Sequence, residues 1–169
     1  KRFSKNANNS IFIRANATTK PFGGLEAGRK ITLKNSDVNY IAESFKEDYE
    51  YLTPVFKKIV AARYKQETGS YSVDAVNTDE FKIRKTTLSK GRLINQNDLN
   101  KALKVLVIGK MVAQDLFKRQ NPIGAYLLLD KIPHKVVGVF SKEDDEREER
   151  KIYAPITTFQ HIYGNTDNI

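Results

Sequence analysis

The chain has 169 residues and no cysteine, and it carries a formal net charge of +9. This length allows one domain or two small lobes with a real core, and the lack of cysteine excludes disulfides, structural Cys-zinc sites and thiol catalysis. With 40% hydrophobic and 29% charged residues, the composition is that of a folded domain. No apolar run reaches the ~18 residues of a membrane span. The start at Lys1, with no Met and no signal peptide, suggests a piece of a longer chain.

The excess positive charge is spread along the chain. Residues 1–65 hold 13 basic and 6 acidic side chains, residues 66–140 hold 12 and 7, and residues 141–169 hold 4 and 7. A phosphate-binding face normally gathers its cations on one element and interleaves aromatic residues for stacking. The distribution therefore favours an ordinary solvated surface over a nucleic-acid partner. Beside a membrane, the basic N-terminal part would also attract anionic headgroups.

The N-terminal third predicts a polar lead-in followed by a strand, a loop and a helix. Ser10–Arg14 alternates apolar and polar residues as a strand does. The loop Asn16–Lys30 has Gly23 and Gly28 at the spacing of a phosphate-binding loop, but the Lys and Ser or Thr that must follow are missing, so we predict no nucleotide there. Asn35 suits a helix start. The apolar residues that follow recur at helical spacing and predict packing of one face on a sheet: Val38, Ile41, Ala42 and Phe45.

The next segments predict two strands and a short link. Val55–Tyr64 is rich in apolar and β-branched residues, Gln66–Gly69 reads as a turn, and Ser70–Val76 alternates as a half-exposed strand. Thr78–Arg84 is expected to be one helical turn or an irregular connection. The tyrosines of this region are interpreted as residues that bridge core and water rather than as a binding site.

The centre of the sequence predicts a strand, a helix and a hairpin. Lys104–Ile108 is almost wholly apolar, as in a strand buried on both faces. A helix with one apolar side follows Gly109 and ends at Asn121-Pro122, because the residue before a proline avoids the α region. Gly124 then allows a turn into a hairpin. Its two strands are predicted at Ala125–Asp130 and His134–Phe140.

The C-terminal part predicts a charged loop, a strand and a short helix. The run KEDDEREERK over Lys142–Lys151 is typical of a mobile surface loop. Its acidic residues lack the spacing and the glycine of a calcium loop, so no metal site is predicted: Glu143, Asp144, Asp145 and Glu146. Ile152–Ile156 is a strand with Pro155 near an edge or a strand end. Thr157 or Thr158 would cap a helix that runs through Tyr163 and ends at Gly164.

Catalysis finds little support in the residue pattern. His134 and His161 fall on a predicted strand and a predicted helix, and no spacing pairs them, so both are interpreted as surface residues. Neither metal-ligand spacing nor a nucleophile motif is present. Carboxylates far apart in sequence could still meet in space. We predict a domain that is not an enzyme, with no catalytic, cofactor-binding or metal-binding residues and no residue assignable to substrate binding.

Five motifs in order carry a family resemblance. Gly91-Arg92 precedes VLVIGKMVAQDLF, then NPIG and KVVGVF, and the Ile152–Gln160 stretch IYAPITTFQ follows. Upstream, NSIFIRANATTKPFGGLEAGRKITL is similar to the family's N-terminal portion, which follows a first membrane span. The chain resembles, over nearly its whole length, the MacB-like periplasmic core domain, the extracytoplasmic part of ABC-transporter permeases of the MacB, LolC and FtsX type.

This resemblance implies a fold class and an organisation. The fold would be α/β (α+β), with mixed sheets, short helices and two lobes. A membrane-proximal, porter-like lobe would comprise residues 1–65 and 151–169, and a distal, sabre-like lobe residues 66–150. The boundaries come from composition and turns. Family domains usually continue past the TTFQ helix with another strand and helix, and this departure leaves open whether the membrane-proximal lobe is complete in this chain.

The resemblance also implies a mechanical function and its partners. The domain would sit on the periplasmic side of the bacterial inner membrane and couple cytoplasmic ATP hydrolysis to work on a substrate or partner outside, in efflux or lipoprotein release. Expected partners are a cytoplasmic ABC ATPase, which alone would bind ATP, a second permease copy or homologue, and a periplasmic adaptor protein.

Two alternatives belong to other classes. One is an extracytoplasmic ligand- or protein-sensing module without a transport role. The other is a basic nucleic-acid-binding domain, which salt-sensitive binding to DNA or RNA would favour.

Overall fold

The computed structural model describes residues 10–142, 145–164 and 169. The described part of the chain contains both helices and strands, with two pairs of consecutive strands. In order they are α1 (Asn35–Ser44), β1 (Val55–Tyr64), β2 (Glu67–Val76), α2 (Asp79–Ile83), β3 (Thr87–Gly91), α3 (Gln96–Asn100), β4 (Val105–Gly109), α4 (Lys110–Phe117), β5 (Tyr126–Leu129), β6 (Ile132–Ser141), α5 (Glu146–Glu149), β7 (Lys151–Pro155) and α6 (Ile156–Ile162).

The strands form one mixed sheet that closes on itself. Its order is β3-β6-β4-β7-β2-β1-β5, and β5 pairs with β6 as well. Strand β6 therefore has three partners along its length: β5 at its start, β4 in its middle and β3 at its end. The pairs β2–β7 and β4–β6 are parallel and the others are antiparallel. Six strands close into a ring in this way, with β3 attached to its outside edge.

The core fills this ring and the space under two helices. β4 is buried over its whole length, as its apolar sequence predicted. Helix α4 follows directly and turns Val112, Leu116 and Phe117 into the core, while α6 contributes Ile156 and Phe159. Gly109, where β4 passes into α4, is a close approach: a Cβ there would lie 2.0 Å from the carbonyl oxygen of Glu149. The mixed α+β class with short helices is confirmed.

Several predicted elements have the expected place with shifted ends. The turn between β1 and β2 is shorter than predicted, because Lys65 takes a left-handed conformation (φ 54°) and pairing resumes at Glu67. The predicted Gln66–Gly69 turn is therefore wrong in its bounds. Pro155 stands at the end of β7, as expected, and α2 confirms the predicted helical turn. The division of the chain into lobes at residues 65 and 150 stays a prediction.

The N-terminal region differs most from its prediction. Ser10–Arg14 is not a strand, because no neighbouring strand of the described chain pairs with it. Helix α1 forms, but none of its residues is buried, so the expected packing of one face on a sheet is wrong for this structure. It is attached instead to α6, where Asn35 and Gln160 exchange side-chain hydrogen bonds of 3.0 and 3.4 Å.

The charged run near residue 145 is partly ordered. Residues 143 and 144 lie outside the described residues, but α5 forms after them, where the Asp145 carboxylate accepts hydrogen bonds from the amides of Arg147 and Glu148. Glu149 is buried and accepts from the Lys142 amide at 2.8 Å. The interpretation of the whole run as a mobile loop is therefore wrong, since capping and one buried carboxylate order its second half.

The short helix α6 is held differently from the prediction. Neither threonine caps it: the hydroxyl groups of Thr157 and Thr158 donate to the carbonyl oxygens of Leu99 and Leu103, at 2.8 Å each. These bonds fasten α6 to α3 and to the start of β4. Gly164 has a positive φ just beyond the helix, as expected of a residue that ends it.

Candidate functional site

The glycine-rich loop does not form a phosphate-binding site. Gly23 and Gly28 lie in an exposed hairpin, in which Thr18 and Arg29 are joined by a backbone hydrogen bond of 2.9 Å. No helix begins after Gly28, whereas a phosphate-binding loop needs a helix N-terminus there. The described loop therefore lacks the helix N-terminus that this motif requires.

The two histidines are far from equivalent. His161 is exposed on α6, as predicted. His134 on β6 is only 1% exposed, so its interpretation as a surface residue is wrong. The alternation of β6 explains the difference, because His134 shares its inward face with Val136. Its Nδ1 lies 2.9 Å from the carbonyl oxygen of Ile132.

A cluster of charged side chains is buried around Asp74, and we call these residues the Asp74 cluster. Asp74 on β2 is 1% exposed, although its strand was predicted to turn it toward solvent. Its Oδ2 atom forms ion pairs with Lys151 at 3.4 Å and Lys57 at 3.8 Å. Lys151 also binds Glu148 at 2.6 Å, and the hydroxyl of Tyr153 donates to Glu148 at 3.4 Å. The cluster thus joins β1, β2, α5 and β7.

Charge compensation sets the protonation states of the Asp74 cluster. Burial alone would lower the pKa of Lys151, but Asp74 and Glu148 outweigh it, so the pKa lies above its ordinary value and the ammonium stays charged. Burial, and then the negative charge of Glu148, raise the pKa of Tyr153, which stays neutral. These groups are paired rather than poised for proton transfer, so the cluster is a structural tie between strands and helix.

A second ion pair lies beside the Asp74 cluster on α2. Arg84 contacts Glu80 at 2.9 Å, with side chains 13% and 3% exposed. Burial opposes the charge of Arg84, but Glu80 outweighs it and raises its pKa. The ring of Phe81, also on α2, packs edge-on against Tyr153 at 5.4 Å. Helix α2 is therefore fixed over the same face of the sheet.

A third buried acid, Asp98, organises the Gly91-Arg92 motif. Its carboxylate accepts two hydrogen bonds from Arg92, at 2.6 and 3.0 Å, and one from the Asn95 amide at 2.9 Å. Burial alone would raise the pKa of Asp98, but these hydrogen bonds outweigh it and hold the pKa below its ordinary value. The backbone is equally close-fitting, since a Cβ on Gly138 would lie 2.1 Å from the carbonyl oxygen of Arg92.

The described surface also exposes large apolar side chains. They concentrate in the segment before α1 and in α1 itself, with single ones on the sheet: Ile11, Phe12, Ile13, Phe22, Leu25, Ile31, Tyr40, Phe45, Ile59, Leu88 and Tyr126. Ile59, on the outer face of β1, is 74% exposed. In the part of the chain that the structure describes, no group of three or more His, Asp or Glu side chains could hold a metal ion.

Sequence reasoning found the strand that carries Asp74 and the helical turn that carries Glu80, but it missed helix α3, which carries Asp98, and it missed the clusters. Asp74, Glu80 and Asp98 look like ordinary surface acids in the sequence. The partners of Asp74 lie on other strands: Lys57 is on β1 and Lys151 is on β7, which pairs in parallel with β2. For Asp98 alone, a local signal exists: Asn95 three residues earlier marks a capped helix start, at which the two side chains bond each other's backbone amides.

Solved structures of other proteins share this fold. The fold is that of the extracytoplasmic domains of ABC-type transporters. The crystal structure of the extracellular domain of the transporter YknZ from Gram-positive bacteria matches with a TM-score of 0.72 and 20% identity, over 81% of this chain and 70% of that one. The periplasmic region of MacB from Actinobacillus actinomycetemcomitans matches with a TM-score of 0.71 and 21% identity, over 90% and 69%.

The family follows from the sequence comparison. The model of the MacB-like periplasmic core domain matches residues 1–169. The bacterial macrolide export ATP-binding/permease proteins MacB of Agrobacterium fabrum and Vibrio parahaemolyticus are 33% and 29% identical, each over 89% of this chain. The chain belongs to the MacB-like periplasmic core domain family. It spans 23% of the length of these two relatives, and among its described residues no helix is long and apolar enough to cross a membrane.

Proposed function

We propose that the chain is the extracytoplasmic domain of a bacterial inner-membrane permease, in which it transmits the conformational cycle of a cytoplasmic ABC ATPase to a substrate or partner outside the membrane. The observation that supports this most is the match to the family over the whole chain, joined to the structural likeness to transporter domains. The relatives' printed name, macrolide export, makes efflux the first branch to test.

The structure contributes a physical reason why such a domain can transmit motion. A body that passes on displacement must keep its shape, and interiors that are packed and paired do so. The closed strand ring, the Asp74 cluster and the Arg92–Asp98 pair fasten every described strand to its neighbours or to a helix. In the proposed cycle, the two arrangements of the permease differ in where this rigid body is held, and the partner binds one arrangement better.

The partners follow from the same proposal. A permease copy or homologue would form the membrane dimer, the ATPase would bind its cytoplasmic side, and a periplasmic adaptor would contact the outer domain. The exposed apolar residues before and within α1 lie in residues 1–65, which in this proposal face the membrane. The chain itself holds no ATP in this scheme and catalyses no reaction.

Location is tested with single cysteines, which the chain lacks naturally. Ile59→Cys is placed in the full-length protein, and intact cells are treated with a membrane-impermeant maleimide, beside the unmodified full-length protein. We expect labelling at Ile59→Cys and none at Val73→Cys, a control whose site is fully buried. Labelling of Ile59→Cys only after the inner membrane is broken would contradict the proposed location.

Coupling is tested on the same full-length protein, purified with its ATPase. Spin labels at Ile59→Cys in both copies report the distance between the two outer domains. We expect that distance to change between the nucleotide-free and the ATP-trapped states. An unchanged distance, in a complex that hydrolyses ATP, would instead favour a sensing or binding module without a transport role.

A further inference from the structure

His134 is a titratable group in an apolar site. It lies on β6 opposite Leu127 of β5, and both residues are fully or almost fully buried. The ring of Phe159 on α6 covers it, with the two ring centroids 6.0 Å apart. Hairpin β5–β6 and helix α6 therefore meet at this imidazole.

The hydrogen bond at Nδ1 fixes the tautomer of His134. Its Nδ1 lies 2.9 Å from the Ile132 carbonyl oxygen, and because that oxygen can only accept, Nδ1 carries the proton and donates it. The other ring nitrogen, Nε2, then holds a bare lone pair, and it has no hydrogen-bond partner among the described residues. A proton added there would create a buried donor and a buried charge without an acceptor, which is costly.

The surroundings of the ring do not offset that cost. Burial lowers the pKa of His134, the Ile132 hydrogen bond opposes this, and the positive charge of Lys104, just before β4, lowers the pKa further. Leu127, which lies opposite His134 on β5, and Phe159, whose ring lies beside it on α6, are both apolar. No carboxylate is among the groups that shift the pKa of His134.

We propose that His134 is an acid-responsive switch, which takes up a proton only when the contact between hairpin β5–β6 and helix α6 opens. The neutral ring is required in the closed state, so acidification below the ordinary histidine range favours the opened one. The opening would free the end of α6, where the Tyr163 hydroxyl donates to Asp130 at 2.9 Å and the Lys58 ammonium lies 4.4 Å from the Tyr163 ring. This inference concerns the chain alone and does not depend on its proposed role in a permease.

The chain offers a matched pair of variants, since it has two histidines, one buried and one exposed. Amide hydrogen exchange is measured near neutral pH and near pH 5, with intrinsic rates corrected, for the unmodified chain, His134→Leu and His161→Gln. We expect the unmodified chain and His161→Gln to lose protection in peptides 126–136 and 156–163. The loss should be up to about thirtyfold near pH 5, the factor that an unperturbed histidine pKa of about 6.5 allows.

The comparison decides the proposal. Peptides of β4 should keep their protection, and His134→Leu should lack the extra loss. An equal loss in His134→Leu, an equal loss in β4, or no loss in the unmodified chain would each overturn it. If His134→Leu does not fold, nitrogen NMR of the histidine rings in the unmodified chain takes its place. His134 should then keep its Nδ1–H tautomer and titrate below the ordinary histidine pKa of about 6.5, and a midpoint at that ordinary value would overturn the proposal.

Discussion

Replacing Lys151 by Met is the sharpest test of the Asp74 cluster. Lys151 is 18% exposed in its side chain and is the nearer of the two cations that face Asp74, which is itself 1% exposed. Methionine keeps most of the volume and removes the charge. Breaking a buried ion pair by deleting one partner costs ~3–5 kcal/mol, because the other charge stays buried and uncompensated.

The stability lost in Lys151→Met should lie at the lower end of the range of ~3–5 kcal/mol. Lys57 remains 3.8 Å from Asp74, but its side chain is 53% exposed, so it compensates only in part. We expect Lys151→Met to lower the free energy of unfolding by about 3 kcal/mol, a large share of the ~5–15 kcal/mol of a typical domain. Adding Asp74→Asn to Lys151→Met should restore part of this loss, since the stranded charge is then gone. Lys57→Met, the exposed control, should cost less than about 1 kcal/mol.

Urea unfolding followed by far-UV circular dichroism measures these differences, which suits a chain without tryptophan. The dependence of free energy on urea should have the same slope in all variants, so that midpoints report stability. If Lys151→Met costs no more than Lys57→Met, or if Asp74→Asn makes Lys151→Met worse, the Asp74 cluster is not the tie described above.

Three further outcomes follow from the structure. Gly138→Ala places a Cβ 2.1 Å from the Arg92 carbonyl oxygen and should lower the free energy of unfolding, measured by thermal unfolding, by at least about 2 kcal/mol. Gly124→Ala is the control: its Cβ meets no atom within 4 Å, but φ is +86°, so the loss should be smaller, about 1–2 kcal/mol. Asp98→Asn should be less stable at neutral pH, but because the pKa of Asp98 is lowered in the folded state, the difference from the unmodified chain should shrink as pH falls below 3.8 in an acid titration followed by circular dichroism. Burial, helped by the negative charge of Asp115, raises the pKa of Tyr71 to about 12. The stability that the neutral phenol contributes should therefore persist up to pH ~10 and be lost above it. In a titration followed by absorbance near 295 nm, Tyr71→Phe should lack one tyrosine that ionises late.

The sequence allowed prediction of the elements that are locally determined. β4 was predicted from its apolar run, α4 from the spacing of its apolar residues, and β1 with the same bounds as observed, because each pattern reports burial of one segment. Strand β3 and helix α3 were not predicted. β3 is exposed along its length and carries no burial pattern, and it pairs with residues 138–141 of β6, far along the chain.

The candidate site was less accessible for a physical reason. Asp74 lies between Lys57 of β1 and Lys151 of β7, while His134 lies opposite Leu127 of β5 and beside the ring of Phe159 on α6. The residues next to Asp74 and His134 in the sequence do not indicate either of these environments. The predictions for α1 and for Ser10–Arg14 were wrong for the same reason. An apolar pattern indicates that one face should be buried, but it does not identify the segment that packs against that face.

The position of β7 has a consequence for how the chain folds. This strand comes late in the sequence, yet it lies between β2 and β4 in the middle of the sheet. The ring of strands cannot close until about residue 155 has been synthesised. Until then, the edges of β2 and β4 that pair with β7 stay unpaired. Pairing over such sequence separations is slow. The hairpins β1–β2 and β5–β6 can form first, and β7 is then the strand that joins them into one core.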